Sequence, residues 1–425
     1  MSLRVVTLPP NLRDVEAIAF AEAVKKRGAD ILEVRNDLHE KWPLTGEAPL
    51  PLLVSERGKP LEAAWKARAT YIDIDLVDAP MTSSRSDTTE ASLDSSKTIL
   101  SRHTKEPLTT ADALSFWRPF QERRALAIKH VEPLGSLDSA ARLFETQAAL
   151  QAMFPETKVT VLAMGPLASP FRAVLAEKNA FDYVAEGSAY QAAPGQRLLD
   201  DAVRSARKTE SSAESRTTSR LAILGHRIEH SASPRLHPPP FDRIDVPEDA
   251  DLGALLRALQ PHYLGFAVTS PFKIASAKAV GASLPSINTL VRMGDGYRAT
   301  NTDVDGARAI LRRLSSKHVT ILGNGGVTPA IVEACASLGI SFTVLTRADA
   351  KDAALEGDIL WTWPPHVDPP SGLRLDGARV AVIAYGPPGK HISERVTHLG
   401  GTPIALGIRW LIAQARAQRT FWGIA

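Results

Sequence analysis

GFAVTSPFK (Gly265–Lys273), INTLV (Ile287–Val291) and ATNTD (Ala299–Asp303) decide how the second half of this chain reads. Each is a short run of apolar and β-branched residues, a composition that predicts a strand. Polar side chains stand near the run ends: Lys273, Asn288, Asn301 and Asp303. In an open α/β sheet, the carboxyl ends of the strands are where a small ligand collects. An ammonium and a carboxylate facing one pocket suit movement of a proton at a ligand hydroxyl.

The alternation of strands and helices continues on both sides. LAILG (Leu221–Gly225) precedes these runs, and HVTILGNGG (His318–Gly326), SFTVLTR (Ser341–Arg347), DILWTW (Asp358–Trp363) and ARVAVIAYG (Ala378–Gly386) follow. IRWLIAQARAQRTFWG (Ile408–Gly423) is amphipathic and is expected to pack back on the first block. ILGNGGVTPA (Ile321–Ala330) is a glycine-rich turn from a strand into a helix. There Gly323, Gly325 and Gly326 let the backbone approach a pyrophosphate at the helix amino terminus. The next strand ends in Thr346 and Arg347. A carboxylate at that place would take a ribose 2′-hydroxyl, whereas arginine favours a 2′-phosphate, so NADP is expected over NAD.

Ahead of KTESSAESRTTSR (Lys208–Arg220), a polar Ser/Thr-rich stretch that reads as a flexible linker, lie eight more strand-like runs. They are RVVTL, DILEVR, PLLVSE, YIDIDLV, TILSR, ALAIKHV, VTVLAM and FDYVAEG, most of them separated by helix-length segments. Eight strands alternating with helices predict a (β/α)8 barrel. The exception is APMTSSRSDTTEASLDSSK after the fourth run, which has almost no apolar face and predicts a reduced helix or a loop. Barrel sites form at the strand carboxyl ends, so Glu33, Arg35, Arg57, Asp75, His103, Lys129, Arg172 and Gln196 are the informative residues. Lys129 either points out among the helices or inward, where desolvation lowers its pKa toward a usable nucleophile.

The chain has 425 residues, 44% of them apolar and 23% charged, with a net charge of +3. That is ordinary for two or three globular domains. Dispersed Lys and Arg give no nucleic-acid footprint. The single cysteine, Cys335, sits in an apolar helical stretch and excludes an intrachain disulfide or a Cys-based zinc cluster. No metal site is expected. The amino terminus has no signal-peptide pattern and no stretch reaches the length of a membrane span, so a cytoplasmic protein is expected.

Across residues 1–206 the order and spacing resemble type I 3-dehydroquinate dehydratase. GADILEVRNDL matches its Glu-x-Arg-x-Asp segment, PLLVSER its arginine, LSRHTKEP its histidine, ALAIKHV its lysine, MGPLASPFR a second arginine, and AAPGQ its lid. The resemblance implies that Lys129 forms a Schiff base, His103 is the acid–base group and Asp75 orients it. It further implies that Thr7, Glu33, Arg35, Arg57 and Gln196 bind substrate and that Arg172 pairs its carboxylate. Asp75 stands for a glutamate of the family, Ala192 and Phe171 for serines, and Glu62-Ala63-Ala64 for Glu-Gly-Gly.

LGHRIEHSASPRLH (Leu224–His237) and GFAVTSPFK resemble segments of shikimate dehydrogenases, with Ala267 in place of an asparagine. That resemblance implies Lys273 and Asp303 as a proton-handling pair. It implies substrate contacts from Ser231, Ser233, Thr269, Asn288 and Gln414, and places Tyr385 near the nicotinamide of NADP. HPPPFDRIDVPEDA (His237–Ala250) and the stretch from Arg347 to Asp358 are shorter than in relatives, and DILWTWPP lacks the family's Asn-x-Thr-Pro.

The expected architecture is an α/β chain: a (β/α)8 barrel over 1–207, a linker over 208–219, a substrate-binding domain over 220–305 completed by a helix over 406–425, and a Rossmann-like NADP domain over 306–405. The expected function is a bifunctional 3-dehydroquinate dehydratase and NADP-dependent shikimate dehydrogenase acting on small molecules, with neither nucleic acid nor membrane as partner and an oligomeric state left open. The alternatives are a shikimate or quinate dehydrogenase with a scaffold barrel, and a ligand-sensing regulator. A regulator needs no intact Lys129, His103, Lys273 or Asp303, and all four are present.

Overall fold

The computed structural model describes residues 2–76, 94–137, 139–206, 220–351 and 353–424. The expected linker over 208–219 and most of the polar connection after the fourth strand (77–93) lie outside the described residues. The chain divides into two compact units. The first holds Met1–Ala222, Arg227–Pro234 and Pro238–His262; the second holds Ile223–His226, Arg235–His237 and Tyr263–Ala425.

In the first unit all eight expected runs form strands: β1 (Leu3–Thr7), β2 (Ile31–Arg35), β3 (Leu52–Ser55), β4 (Tyr71–Asp75), β5 (Thr98–His103), β6 (Ala127–Pro133), β7 (Lys158–Met164) and β8 (Phe181–Val184). They make one parallel sheet in the order β7-β6-β5-β4-β3-β2-β1-β8, a nearly closed barrel. Side chains alternate between its two faces. Val5, Ile31, Leu53, Ile99, Ala127, Phe181 and Tyr183 cluster inside. Val6, Leu32, Val34, Leu52 and Val54 instead pack outward with Ala17, Ala21 and Val24 of the helix Asp14–Lys26. Keeping the inward parity and moving two residues toward the carboxyl ends turns the lining polar, to Thr7, Glu33, Ser55, Asp73, Ser101 and Lys129. On β6 the neighbour of Lys129 has the opposite parity, and His130 Nδ1 accepts from the Nε1–H of Trp117, in the helix Thr110–Trp117, at 3.3 Å.

Between β7 and β8 the ring is held by Asn179. Its amide donates to the Val161 carbonyl and accepts from the Val161 N–H, both at 2.9 Å. One side chain thus does the work of a peptide unit in the ladder. Gln147 Nε2 holds the Asn179 oxygen at 2.7 Å.

The next strand, β9 (Leu221–Gly225), places two residues in the first unit and three in the second. The first unit also contains β10 (Phe241–Asp245), inside the shortened His237–Ala250 segment, and the helix Leu252–Leu259 capped by Asp251, whose carboxylate accepts from Ala254 N–H at 2.9 Å. The helices Ser169–Leu175 and Leu199–Ala206 lie against β10.

In the second unit β11 (Gly265–Val268), β12 (Thr289–Met293) and β13 (Gly296–Thr300) run antiparallel in sequence order. A parallel sheet follows, with strands β14 (His318–Leu322), β15 (Ser341–Leu345), β16 (Asp358–Trp361), β17 (Arg379–Val382) and β18 (Thr402–Ala405) in the order β15-β14-β16-β17-β18. The helix Thr328–Leu338 connects β14 to β15. Between β15 and β16 the described residues hold only a 3-10 turn, Asp349–Lys351, the structural form of the shortened stretch. The carboxyl-terminal helix Gly407–Trp422 folds back on β12, and Trp422 Nε1 donates to the Leu290 carbonyl at 2.9 Å. Gly265 is fixed by this contact, because a Cβ there would stand 2.4 Å from the Leu290 oxygen. No described helix is long and apolar enough to cross a membrane.

Asn179→Ala would leave a buried N–H and a buried carbonyl of Val161 unpaired. Each costs about 1–3 kcal/mol, so urea denaturation of this variant is expected to show a loss of about 2–4 kcal/mol.

Candidate active sites

The barrel parity brings the polar strand ends into one lined interior. Glu33 is buried on β2, and both its oxygens are occupied: Thr7 Oγ1 donates to one at 2.5 Å and Ser55 Oγ to the other at 2.6 Å. Arg57 donates to Asp73 Oδ2 at 2.9 Å and lies 3.8 Å from Asp75. Lys129, 1% exposed, points inward and pairs with Asp73. Its Nζ also lies 3.4 Å from the Tyr183 hydroxyl. Arg57 therefore joins the partner of Lys129 to the partner of His103, since His103 Nδ1 lies 3.0 Å from Asp75 Oδ1. That contact places the imidazole proton on Nδ1 and leaves Nε2 as the basic nitrogen. The shorter aspartate reaches the histidine without the family's extra methylene.

These contacts set the protonation states. Burial pushes the Lys129 ammonium below its ordinary pKa, against the pull of Asp73. Burial alone would raise Asp73, but the charges of Lys129 and Arg57 overcome it and hold the carboxyl well below the usual range. Burial also lowers His103, with the Arg57 and Lys129 charges acting in the same direction and Asp75 opposing. Both nitrogen bases of the site are thus shifted in the direction of their neutral forms.

Arg172 is 2% exposed. One Nη donates to the Tyr183 carbonyl at 2.9 Å, while its buried Nε has no partner among the described residues. Burial lowers its pKa to about 10. A buried guanidinium with an open N–H suits a carboxylate ligand. Phe171, where the family has serine, is fully buried with its ring 6.4 Å from that of Phe144. Arg35 pairs with Asp37 at 2.7 Å and reaches the Ala192 carbonyl at 3.4 Å. Gln196 is buried, its side-chain oxygen accepting from the Ala193 N–H at 3.3 Å. Sequence reasoning missed Asp73, Ser55 and Tyr183. Strand parity could have found Asp73, which lies two residues before Asp75 on the same face of β4.

In the second unit Lys273 opens the helix Lys273–Ala279, Asp303 opens the helix Asp303–Leu311, and the two side chains are ion-paired. Asn301 Oδ1 accepts from the Asp303 N–H at 3.1 Å, and its Nδ2 donates to Ser286 Oγ at 3.2 Å. Asn288 is fully buried. Its oxygen accepts from Thr302 N–H at 2.7 Å and from the hydroxyls of Thr302 and Thr289 at 3.0 and 2.9 Å. Its Nδ2 has no partner among the described residues, a buried donor available to a ligand. Thr269 follows β11, half-buried, its N–H donating to the Leu224 carbonyl at 2.9 Å. Gln414 is half-buried on the carboxyl-terminal helix. One turn further, Gln418 is buried, 3.4 Å from Thr289 Oγ1 and 3.1 Å from His237 Nε2, a contact that sequence reasoning missed. Ser231 and Ser233, in the first unit, are both buried, and Ser231 Oγ donates to Ser233 Oγ at 3.3 Å.

The glycine-rich turn leaves β14 through Gly323, at φ +123°, where a Cβ would lie 2.3 Å from Thr362 Oγ1. Gly325 and Gly326 face open space before the eleven-residue helix Thr328–Leu338. Thr346 and Arg347 are exposed at the end of β15, where the Thr346 hydroxyl and N–H donate to Asp349 at 2.5 and 3.1 Å. Tyr385 is half-buried after β17, just before the helix Gly386–His398. The sheet order thus collects these residues along one carboxyl edge.

No family model matches the chain. It is 36% identical over 147 residues to a shikimate dehydrogenase (NADP(+)) of Microcystis aeruginosa, covering 29% of this chain and 49% of that protein. It is 33% identical over 196 residues to a shikimate dehydrogenase (NADP(+)) of Salinibacter ruber, covering 40% of this chain and 65% of that protein. Among solved structures, the dehydroquinate dehydratase and shikimate dehydrogenase from S. pombe AroM aligns with 99% of this chain and 95% of its own, at 17% identity and TM-score 0.38. A shikimate 5-dehydrogenase from Mycobacterium fortuitum aligns with 48% of this chain and 92% of its own, at 29% identity and TM-score 0.37. The chain spans about half the length of the first of these curated relatives. Over the matched stretch the chain is similar to shikimate dehydrogenases.

Proposed function

We propose that the barrel dehydrates 3-dehydroquinate to 3-dehydroshikimate and that the second unit reduces 3-dehydroshikimate to shikimate with NADPH. The observation that carries this reading is the inward, fully buried Lys129 beside the His103–Asp75 pair. An amine of lowered pKa condenses with a ketone, losing water, and the iminium becomes an electron sink for the adjacent C–H bond. His103 Nε2 takes that proton, returns it to the departing hydroxyl, which leaves as water, and then assists hydrolysis of the imine. Asp75 keeps the ring oriented through both transfers. Thr7, Ser55 and Arg57 fix Glu33 and Asp73, and the open Nε of Arg172 suits the substrate carboxylate.

For the reduction, the Lys273 side chain delivers a proton to the forming alkoxide oxygen, and its ion pair with Asp303 holds it in place. The free Nδ2 of Asn288 suits a substrate hydroxyl, and Thr269 and Gln414 are proposed as further contacts. NADPH, when bound, supplies the hydride. The residues present fit it: Gly325 and Gly326 leave room for a pyrophosphate at a helix amino terminus, Arg347 offers an exposed guanidinium for the 2′-phosphate, and Tyr385 stands on the same sheet edge. The relatives' names carry the same cofactor. We also propose a cytoplasmic compartment, in keeping with the lone buried thiol of Cys335.

Borohydride reduction in the presence of 3-dehydroquinate is expected to leave a reduced imine of substrate or dehydrated product on Lys129, a mass increase equal to the bound ketone less water plus two hydrogens, and no such increase in Lys129→Arg; an unlabelled wild type would overturn the dehydratase reading. Lys273→Ala is expected to lower kcat of the NADPH-dependent reduction by about 10²–10⁴-fold with substrate binding largely kept. Normal turnover would remove the lysine from the mechanism. Arg172→Met removes the buried guanidinium whose Nε is open, so the KM for 3-dehydroquinate is expected to climb steeply in steady-state assays, with some loss of Tm because the Tyr183 carbonyl and Asp182 lose a buried partner.

A further inference from the structure

A row of alternating buried charges leads away from the barrel site within the first unit. Arg172 feels the charge of Asp182, which precedes Tyr183 on β8. Arg197 Nε donates to Asp182 Oδ2 at 3.1 Å, and its Nη1 lies 3.9 Å from Asp242 Oδ1 on β10. Asp242 also accepts from Ser205 Oγ at 2.7 Å and pairs with Arg220, which reaches Glu177 at 2.6 Å. Arg172, Asp182, Arg197, Asp242 and Arg220 are all buried. Buried ion pairs contribute little net stability, because desolvation offsets their attraction, but they do fix geometry. Arginine, with its planar fork, does so best.

What this row fixes is visible at Arg197. The residue directly follows Gln196 in the 192–196 segment. Its main-chain carbonyl accepts from the Ala185 N–H at 2.9 Å, just beyond Tyr183, and Leu199 N–H donates to the Ala185 carbonyl at 2.8 Å. We propose that Arg197 is a positioning residue for the barrel reaction. It holds Gln196 and the strand of Tyr183 in one relative placement, and Asp242, encoded beyond the linker, supplies the second carboxylate that keeps the guanidinium there. The barrel's substrate site is thus completed by sequence outside the barrel. The proposal rests on the dehydratase reading above.

The test uses the full chain. In Arg197→Met, the KM for 3-dehydroquinate is expected to rise about tenfold with kcat within about twofold, since the chemistry at Lys129 and His103 is untouched while substrate placement loosens. NADPH-dependent reduction of 3-dehydroshikimate should be unchanged. Arg197→Lys should recover part of the KM, and Asp242→Asn should move it the same way by less. An unmoved KM in Arg197→Met, with borohydride still labelling Lys129 in the wild type, would overturn this proposal and leave the dehydratase reading standing. So would a parallel loss of both reactions together with Tm, the mark of a purely structural role. A wild type that takes no label overturns the dehydratase reading and this inference with it.

Discussion

An ammonium taken fully out of water governs the barrel. Lys129 is tolerated inside the sheet because Asp73 meets it directly, and Asp73 is tolerated because Arg57 meets it in turn. Each charge is the condition for burying the next. Burial, with the Arg57 charge acting in the same direction, lowers both Lys129 and His103, while Arg57 also touches the carboxylate that orients the imidazole. Protonation states and positions are therefore one property of this interior. The apolar cluster beneath it, with Val5, Ile31, Ile99 and Phe181, provides the low-dielectric floor that makes these shifts possible.

The second unit is arranged differently. Its candidate residues sit at element ends, where Lys273 and Asp303 each begin a helix and Asn288 is locked by the hydroxyls of Thr289 and Thr302. Such a site depends on where loops end more than on a buried charge sequence. The short β15–β16 connection holds only a 3-10 turn among the described residues, while the glycine turn after β14 and the helix that follows it are intact.

The eight barrel strands were legible because each run is short, apolar and bounded by polar or helix-forming residues, and the pairing followed from chain order. Lys273, Asp303 and the glycine turn were legible for a similar reason: local spacing carries them. Asp73 was not, since YIDIDLV contains two aspartates and only one answered to a known motif, although period-2 parity puts both on the same face. Gln418 was missed because its partners, His237 and Thr289, are far away in sequence. Asn179 was missed because nothing local marks a side chain that stands in for a peptide group. Long-range hydrogen bonds leave no periodicity behind.

Adjacent on β6, Lys129 and His130 illustrate how much rides on which way a strand faces. One looks into the barrel at Asp73; the other looks out at Trp117. Both are titratable nitrogen bases, and either could serve as a nucleophile or a base on chemical grounds alone. Strand parity, fixed by apolar neighbours that do no chemistry, decides which of them meets a ligand. Ile128 and Val131 thus act as a frame for reading the strand. Sliding β6 by a single residue would conserve every atom of the chain and exchange an amine-lined interior for an imidazole-lined one.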